Sequence, residues 1–227
     1  MAAGPGSHLT CLLLAPAPDW VVLDLASGAL LRAPLDEREA PELFSAEPFS
    51  AFSVVVGDEV APADPSRPEA VSLAEVTDSP APRRRSLRAL LDQVVLPPSD
   101  QPLLGSVGPS VAYGDLEGDR PSVSLLAPDR GRVVFAGGDE LVGHFRLGSA
   151  THALPVALGL VNWLQQGQLP TATGTATKRG GGTRGSKRVG PLGPATEPSI
   201  PVRAVVGFDR PRGGQVRKVL LGVVPAA

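Results

Sequence analysis

The order of apolar and polar positions in the first 80 residues predicts strands joined by tight turns. Short apolar runs, separated by Pro, Asp, Ser and Gly, occupy residues 9–15, 20–25, 29–33, 49–57 and 70–76. Runs of this length between turn residues are typical of an antiparallel β-meander. The acidic stretch 36–44 has room for only one or two turns of helix.

The clearest helical pattern lies in residues 83–96. Five apolar side chains recur there at helical spacing: Leu87, Leu90, Leu91, Val94 and Val95. Positions i, i+3, i+4, i+7 and i+8 lie on one side of an α-helix, so the segment is predicted to be amphipathic. Prolines at positions 80, 82, 97 and 98 set its limits.

The second half of the chain repeats the strand pattern. Apolar runs at residues 122–127, 132–136 and 141–147 are separated by two short connectors rich in Gly and Asp. The connectors have the length and residue types of hairpin loops, and they predict a three-stranded antiparallel meander. Two further runs, 200–208 and 215–224, predict a closing hairpin.

Residues 148–177 contain no charged side chain, and an apolar run extends there over residues 153–164, from Ala153 to Leu164. The run is shorter than the ~20 residues that cross a bilayer, so we expect no membrane span. Its apolar positions go almost all round a helical wheel. This favours a helix buried in the core or between the subunits of a homo-oligomer.

Composition then narrows the fold class. The chain has 26 Gly and 25 Pro among 227 residues, which excludes a helical bundle or a coiled coil. Hydrophobic residues make up 42%, enough for a sizeable core. We therefore predict an α+β, β-rich fold of antiparallel meanders, sandwich-like or barrel-like, with one or two helices and a long Gly-rich basic loop.

The same pattern divides the chain into five regions. They are an acidic β-rich region with a closing amphipathic helix (1–98), a loop or linker (99–120), a β-meander with an apolar helix (121–170), a flexible basic Gly/Thr-rich arm (171–198) and a C-terminal β-hairpin (199–227). The arm is poor in apolar residues, so we expect an exposed long loop that is tethered at both ends.

The formal net charge of −2 hides a strong asymmetry. Residues 1–140 contain ten Arg, no Lys and 21 acids, a balance of −11, whereas residues 141–227 contain eight Arg, three Lys and two acids, a balance of +9. Such asymmetry indicates either a partner of opposite sign for one part of the chain or contact between the two parts.

Residues 178–188 carry five cations and no acid: Lys178, Arg179, Arg184, Lys187 and Arg188. Glycines between them let the backbone lie close to an anionic surface while each cation neutralises a phosphate. No aromatic side chain lies in the stretch, so it implies no sequence specificity. The pattern predicts contact with a polyanion such as nucleic acid, or with an acidic protein surface. A solvated loop that pairs with the chain's own acidic part is the alternative.

Motifs for cofactors and metals are incomplete. Residues 180–185 match G-x-G-x-x-G, but Pro and Gly follow in place of the helix that a dinucleotide site needs. Residues 115–119 space three carboxylates as a calcium loop does, yet Arg120 stands where Gly is obligatory. The single cysteine, Cys11, permits neither an intrachain disulfide nor a thiolate cluster, and we expect it to be buried. No cofactor and no metal are expected.

One cluster offers a catalytic role. Asp139, Glu140 and His144 lie beside the predicted meander, and His152 would join Glu140 and His144 if the following helix packed on that strand. A hydrogen-bonded structural histidine is the alternative for His144. We favour a non-enzymatic binding or assembly protein, with a small enzyme as the alternative.

The expected location is the cytoplasm. No basic region precedes the first apolar run, and that run is too short for the apolar region of a signal peptide.

Overall fold

The computed structural model describes residues 5–16, 19–34, 46–57, 64, 66–96, 102–116, 121–137, 140–167 and 200–226. Within these ranges the chain forms three antiparallel sheets and two α-helices. The predicted β-rich α+β fold with antiparallel meanders is confirmed. Neither helix in the described part of the chain has the length and apolar character needed to cross a membrane.

The N-terminal sheet has five strands in the order β3-β2-β1-β4-β5. Its strands are β1 (His8–Ala15), β2 (Asp19–Asp24), β3 (Leu30–Pro34), β4 (Ala51–Val56) and β5 (Leu73–Ser79). The chain just ahead of β5 also pairs with β3, because Arg32 N–H donates to Glu69 O at 3.1 Å and Val71 N–H donates to Arg32 O at 2.8 Å. The two edges of the sheet therefore approach each other, and the sheet curls into a half-barrel.

Both faces of β1 are buried. Cys11 and Leu13 belong to one core cluster with Trp20 and Phe52, whose ring centroids lie 5.0 Å apart. Since side chains alternate along a strand, Leu12 and Leu14 point to the other face of the sheet. That face belongs to a second core cluster, which includes Leu12. Further elements therefore cover both faces of this sheet.

A four-stranded sheet is one of these elements. Its order is β6-β12-β11-β7, with β6 (Ser110–Ala112), β12 (Gln215–Pro225), β11 (Val202–Phe208) and β7 (Val123–Leu126). The predicted C-terminal hairpin corresponds to β11 and β12, which pair from Val202 opposite Pro225 to Phe208 opposite Lys218. Helix α1 (Arg84–Val94) packs Leu87 and Leu91 into the same second core.

The third sheet has the order β10-β9-β8, with β10 (Ala150–Pro155), β9 (Val142–Leu147) and β8 (Val134–Ala136). Its inner face buries Phe135, Phe145 and Leu154. Helix α2 (Leu158–Gln166) follows, and a hydrogen bond from Ala157 N–H to Leu220 O at 2.9 Å ties its start to β12.

The structure changes the membership of the second predicted meander. The apolar run 122–127 forms β7, which pairs with β11 in the four-stranded sheet instead of with β8. The turn Asp129–Gly131 separates the two strands, and Arg130 and Gly131 both have positive φ there. The meander that does form consists of β8, β9 and β10.

The apolar run 153–164 is only partly helical. Its first residues belong to β10, and α2 begins at Leu158. Pro155 explains the difference, since proline favours extended backbone at the residue before it. One face of the helical part is buried, with Leu160 and Trp163 at 0% exposure, whereas Leu158 on the other side is 67% exposed.

Candidate functional site

The predicted polyanion-binding residues Lys178, Arg179, Arg184, Lys187 and Arg188 lie outside the described residues, as does Asp139. The described chain stops at Gly167, directly after α2, and resumes at Ile200, ahead of β11. The candidate site is therefore built from the surface beside the point where the described chain resumes.

A basic turn lies at this point. A Cβ placed on Gly131 would lie 2.8 Å from the Cβ of Pro201, so the turn Asp129–Gly131 contacts the start of the C-terminal segment. Arg130 is exposed and has a φ of 58°. Such a left-handed conformation costs a residue other than Gly about 1–2 kcal/mol. An exposed guanidinium is thus carried on strained backbone.

Asp129 links this turn to the hairpin between β9 and β10. Its carboxylate accepts a hydrogen bond from Gly148 N–H at 3.1 Å and lies 3.9 Å from Arg146 Nε. The Arg146 guanidinium also donates to Gly148 O at 3.0 Å. Because the Arg146 side chain is still 61% exposed, it is held by the turn and remains accessible to a ligand.

The third sheet presents one face to solvent, which we call the open face. It consists of Val134, Ala136, Val142, His144, Arg146, Thr151, Ala153 and Pro155. His144 lies between Val134 on one neighbouring strand and Ala153 on the other. The next row toward the turn contains Arg146 opposite Thr151.

Arg132 follows the turn Asp129–Gly131. Its backbone is extended, with φ −110° and ψ 129°. Burial alternates accordingly, since Arg132 is exposed and Val133 is 0% exposed. One end of the open face is therefore basic.

The other end of the open face borders a shallow depression of about 580 Å³. Its lining is mostly apolar and includes Ala136, Val142, Ala153 and Pro155, together with Glu140, His144 and Arg217. Arg217 donates to Glu140 Oε1 at 3.1 Å, and both side chains are about half exposed. Glu140 and His144 thus share one depression, with the carboxylate engaged by an arginine.

His152 does not join them. It pairs with Phe145 in register and stacks on that ring at 5.3 Å, on the sheet face opposite to His144. The predicted convergence of Glu140, His144 and His152 is wrong. His152 lies on a strand, opposite Phe145, and side chains alternate along a strand, so the side chain of His152 points to the face opposite that of His144. Among the residues that the structure describes, no group of three or more His, Cys, Asp or Glu side chains could hold a metal ion.

Sequence reasoning missed a buried lysine. Lys218 lies on β12 between two core residues of the same face, and it is only 3% exposed. Its ammonium donates to Ser106 O, and burial lowers its pKa. Burial, and next the charge of Lys218, also lower the pKa of His152. The sequence did contain a signal for this burial. Lys218 lies two residues from both Val216 and Leu220, and residues at this spacing share one face of a strand, here the apolar face.

Cys11 is buried as predicted. Desolvation, reinforced by the charge of Asp24, raises the pKa of its thiol to about 12. A thiol with such a pKa stays protonated and is a poor nucleophile at neutral pH. Cys11 therefore acts as a small apolar core residue.

Comparison with protein-family models, with curated proteins and with solved structures gave no match. The functional interpretation therefore rests on the residues and surfaces described above.

Proposed function

We propose that this chain is a non-enzymatic binding protein whose residues 178–188 contact a polyanion, with nucleic acid as the first candidate and an acidic protein surface as the second. The observation that carries the proposal is the concentration of five cations without an acid in that segment. A polyanion gains affinity from each cation that displaces a condensed counterion, and no fixed side-chain geometry is required.

The described surface beside Ile200 supports this proposal. Pro201, directly after Ile200, contacts the turn that carries Arg130, and Asp129 holds Arg146 beside that turn. Both arginines are exposed. The folded part therefore offers a polyanion positive charge in addition to that of residues 178–188.

A salt titration tests the proposal. Binding of mixed-sequence DNA and RNA is measured by fluorescence anisotropy at several salt concentrations. If all five cations contact duplex phosphates, log K falls against log salt with a slope of about 4 to 5, and sequence has little influence. Absence of binding at low salt, where charge attraction is least screened, would refute the nucleic-acid form and leave an acidic protein surface.

The matched variant replaces Lys178, Arg179, Arg184, Lys187 and Arg188 together by Ser. Loss of binding with an unchanged melting temperature is the expected result, since exposed loops contribute little burial. A large fall in melting temperature would instead show that the segment is docked on the acidic part of the same chain.

The alternative, a small enzyme, draws its support from the depression that Glu140 and His144 share. The pair of Glu140 with Arg217 counts against a free general base there. A screen with small ester and phosphoester substrates tests this alternative, with His144→Ala as the comparison. Turnover that His144→Ala abolishes would favour the enzyme, whereas unchanged turnover in the variant would remove His144 from any mechanism.

A further inference from the structure

Strand β10 is an edge strand of the third sheet. Val156 N–H donates to Leu141 O at 2.9 Å, and the pairing of β10 with β9 continues from there without a shift. Hydrogen-bonded pairs alternate with other pairs along an antiparallel ladder, so every second residue of β10, His152 among them, directs its backbone groups toward β9. Thr151 and Ala153 therefore direct their N–H and C=O groups away from β9, to the outer edge.

In the described part of the chain, no element pairs with the outer edge of β10. No backbone hydrogen bond from another element reaches Thr151 or Ala153, and both residues are exposed. The sequence places no charge at this edge, since residues 148–177 contain no Asp, Glu, Lys or Arg. An exposed, uncharged edge of this kind is a template for pairing with another strand.

The other edge strands of the described chain are protected. β5 carries the exposed acids Glu75 and Asp78 and pairs with β4 through a bulge. β3 is covered by residues 69–71, and β7 by Leu96, whose N–H donates to Leu125 O at 2.9 Å. β6 and β8 have only three residues each. Charges, bulges, covering segments and short strands keep sheet edges from pairing, and β10 has none of these four protections.

The edge of β10 is complementary to itself. When two copies of β10 run antiparallel around a two-fold axis at His152, Thr151 of one copy lies opposite Ala153 of the other. Each outward N–H of these two residues then donates to a carbonyl of the other copy. A register that pairs Pro155 would leave a carbonyl without a donor, because proline has no N–H.

The side chains around this axis also match. On the inner face Leu154 lies opposite Ala150 of the second copy, and on the open face Thr151 lies opposite Ala153, so a larger side chain meets a smaller one in each pair. His152 lies opposite its own copy at the axis. Burial lowers the pKa of His152, so the two rings meet uncharged at neutral pH.

We infer that β10 pairs with β10 of a second copy, so that two three-stranded sheets join into one continuous sheet across a symmetric dimer. The inference goes beyond the proposed polyanion function and does not depend on it. Because the paired positions are uncharged, the dimer should persist at high salt. Attraction between the acidic part of one copy and the cations of another would instead be screened.

Analytical ultracentrifugation of the full chain over a range of concentrations measures the dimer. Ala153→Pro removes the outward N–H of Ala153 and leaves the pairing with β9, which does not use this N–H. It should weaken dimerisation about tenfold or more, since the symmetry removes the same hydrogen bond twice. Ala153→Thr is the matched control, because it changes the same side chain, keeps the N–H and should dimerise like the native chain. Circular dichroism checks the fold of both variants.

Disulfide cross-linking tests the register. The Cα atoms of a pair that is not hydrogen-bonded lie about 4.5 Å apart, within the range that a disulfide bridges, so His152→Cys should cross-link two copies under oxidising conditions. Thr151→Cys is the control, because its Cα would lie about 9 Å from that of its own copy, too far for a disulfide. The native Cys11 is 0% exposed and does not compete. A non-reducing gel measures the cross-linked fraction.

The expected result is a salt-resistant dimer that Ala153→Pro weakens and that His152→Cys cross-links. A native chain that stays monomeric at every concentration would overturn the inference. A dimer that dissociates at high salt, or that a folded Ala153→Pro variant leaves unchanged, would overturn it too. If Ala153→Pro does not fold, the cross-links decide, and no cross-linking, or equal cross-linking of His152→Cys and Thr151→Cys, would show that β10 does not pair in this way.

Discussion

Replacing Gly222 by alanine should force β12 and β1 apart locally and destabilise the protein. Gly222 lies on β12 where that strand crosses β1, next to a bulge in its pairing with β11. A Cβ at this position would lie 2.9 Å from the Cβ and 3.0 Å from the Cα of Ala15, and closer still to Leu14 O. Ordinary contacts begin near 3.4 Å, and the obstacles are backbone atoms or a methyl attached directly to backbone.

The loss of stability can be worked out from the shift that the new Cβ requires. To restore 3.4 Å, the Cβ of Ala15 must shift by about 0.5 Å and Leu14 O by more, and both belong to a strand that is buried on both faces. Overpacking of this kind costs about 1–3 kcal/mol, and the rigid backbone puts Gly222→Ala at the upper end. For a chain of this size about 3 kcal/mol corresponds to a fall in melting temperature of roughly 6–12 °C.

Gly143→Ala is the matched control. Its new Cβ would also come within 2.5 Å of a neighbour, but that neighbour is the end of the Leu220 side chain, which can rotate. We expect a cost of about 1 kcal/mol or less, since alanine also restricts the unfolded chain. Urea unfolding followed by the fluorescence of the buried Trp20 and Trp163 compares the two variants. Equal unfolding free energies would refute the reasoning that backbone crowding decides the cost.

Three further predictions concern charged residues. Burial raises the pKa of Glu69 above its ordinary value of 4.5, so the stability of the fold decreases as pH rises above that value and Glu69 ionises. Glu69→Gln should therefore raise the melting temperature at pH 7 but not at pH 4. A lower melting temperature at pH 7 would mean that the attraction of Arg32 outweighs burial. Arg130→Gly should raise the unfolding free energy by about 1 kcal/mol, because glycine adopts the positive φ at this position without strain. Arg132→Gly is the control and should not raise it, since Arg132 has a φ of −110°. A larger unfolding free energy for Arg132→Gly than for Arg130→Gly would contradict this explanation. Asp92→Ala should lower the unfolding free energy in urea by about 1–2 kcal/mol, because Arg203, which is 8% exposed, loses its ion pair with Asp92. If Asp92→Ala lowers the unfolding free energy equally in an Arg203→Met background, the ion pair is not the cause.

The strands of the half-barrel and the closing hairpin were predictable because local signals determine them. Turn-forming residue types at 16–19 and 26–28 interrupt apolar runs of strand length, and neighbouring runs pair with each other. The membership of β7 was not predictable in this way. Its partner β11 is 76 or more residues distant in sequence, and no local pattern identifies so remote a partner.

The candidate site was also predictable only where its residues lie close together in the sequence. His144 and Glu140 were identified because they lie near each other in sequence, and they do line one depression. The position of Arg146 beside the turn Asp129–Gly131 was missed, since it depends on the contact of Arg146 with Asp129. The assignment of residues 153–157 to a helix also concealed the open face, because three of its eight residues belong to β10.

The fold also changes how the charge asymmetry should be counted. Two of the cations that give residues 141–227 their balance of +9, Arg203 and Lys218, are buried and engaged by Asp92 and Ser106. They contact no external partner. Arg130, in contrast, belongs to the acidic part of the sequence and is exposed. A count of the cations that an anionic partner can reach on the described surface therefore leaves out Arg203 and Lys218 and includes Arg130 and Arg146, whose side chain is 61% exposed.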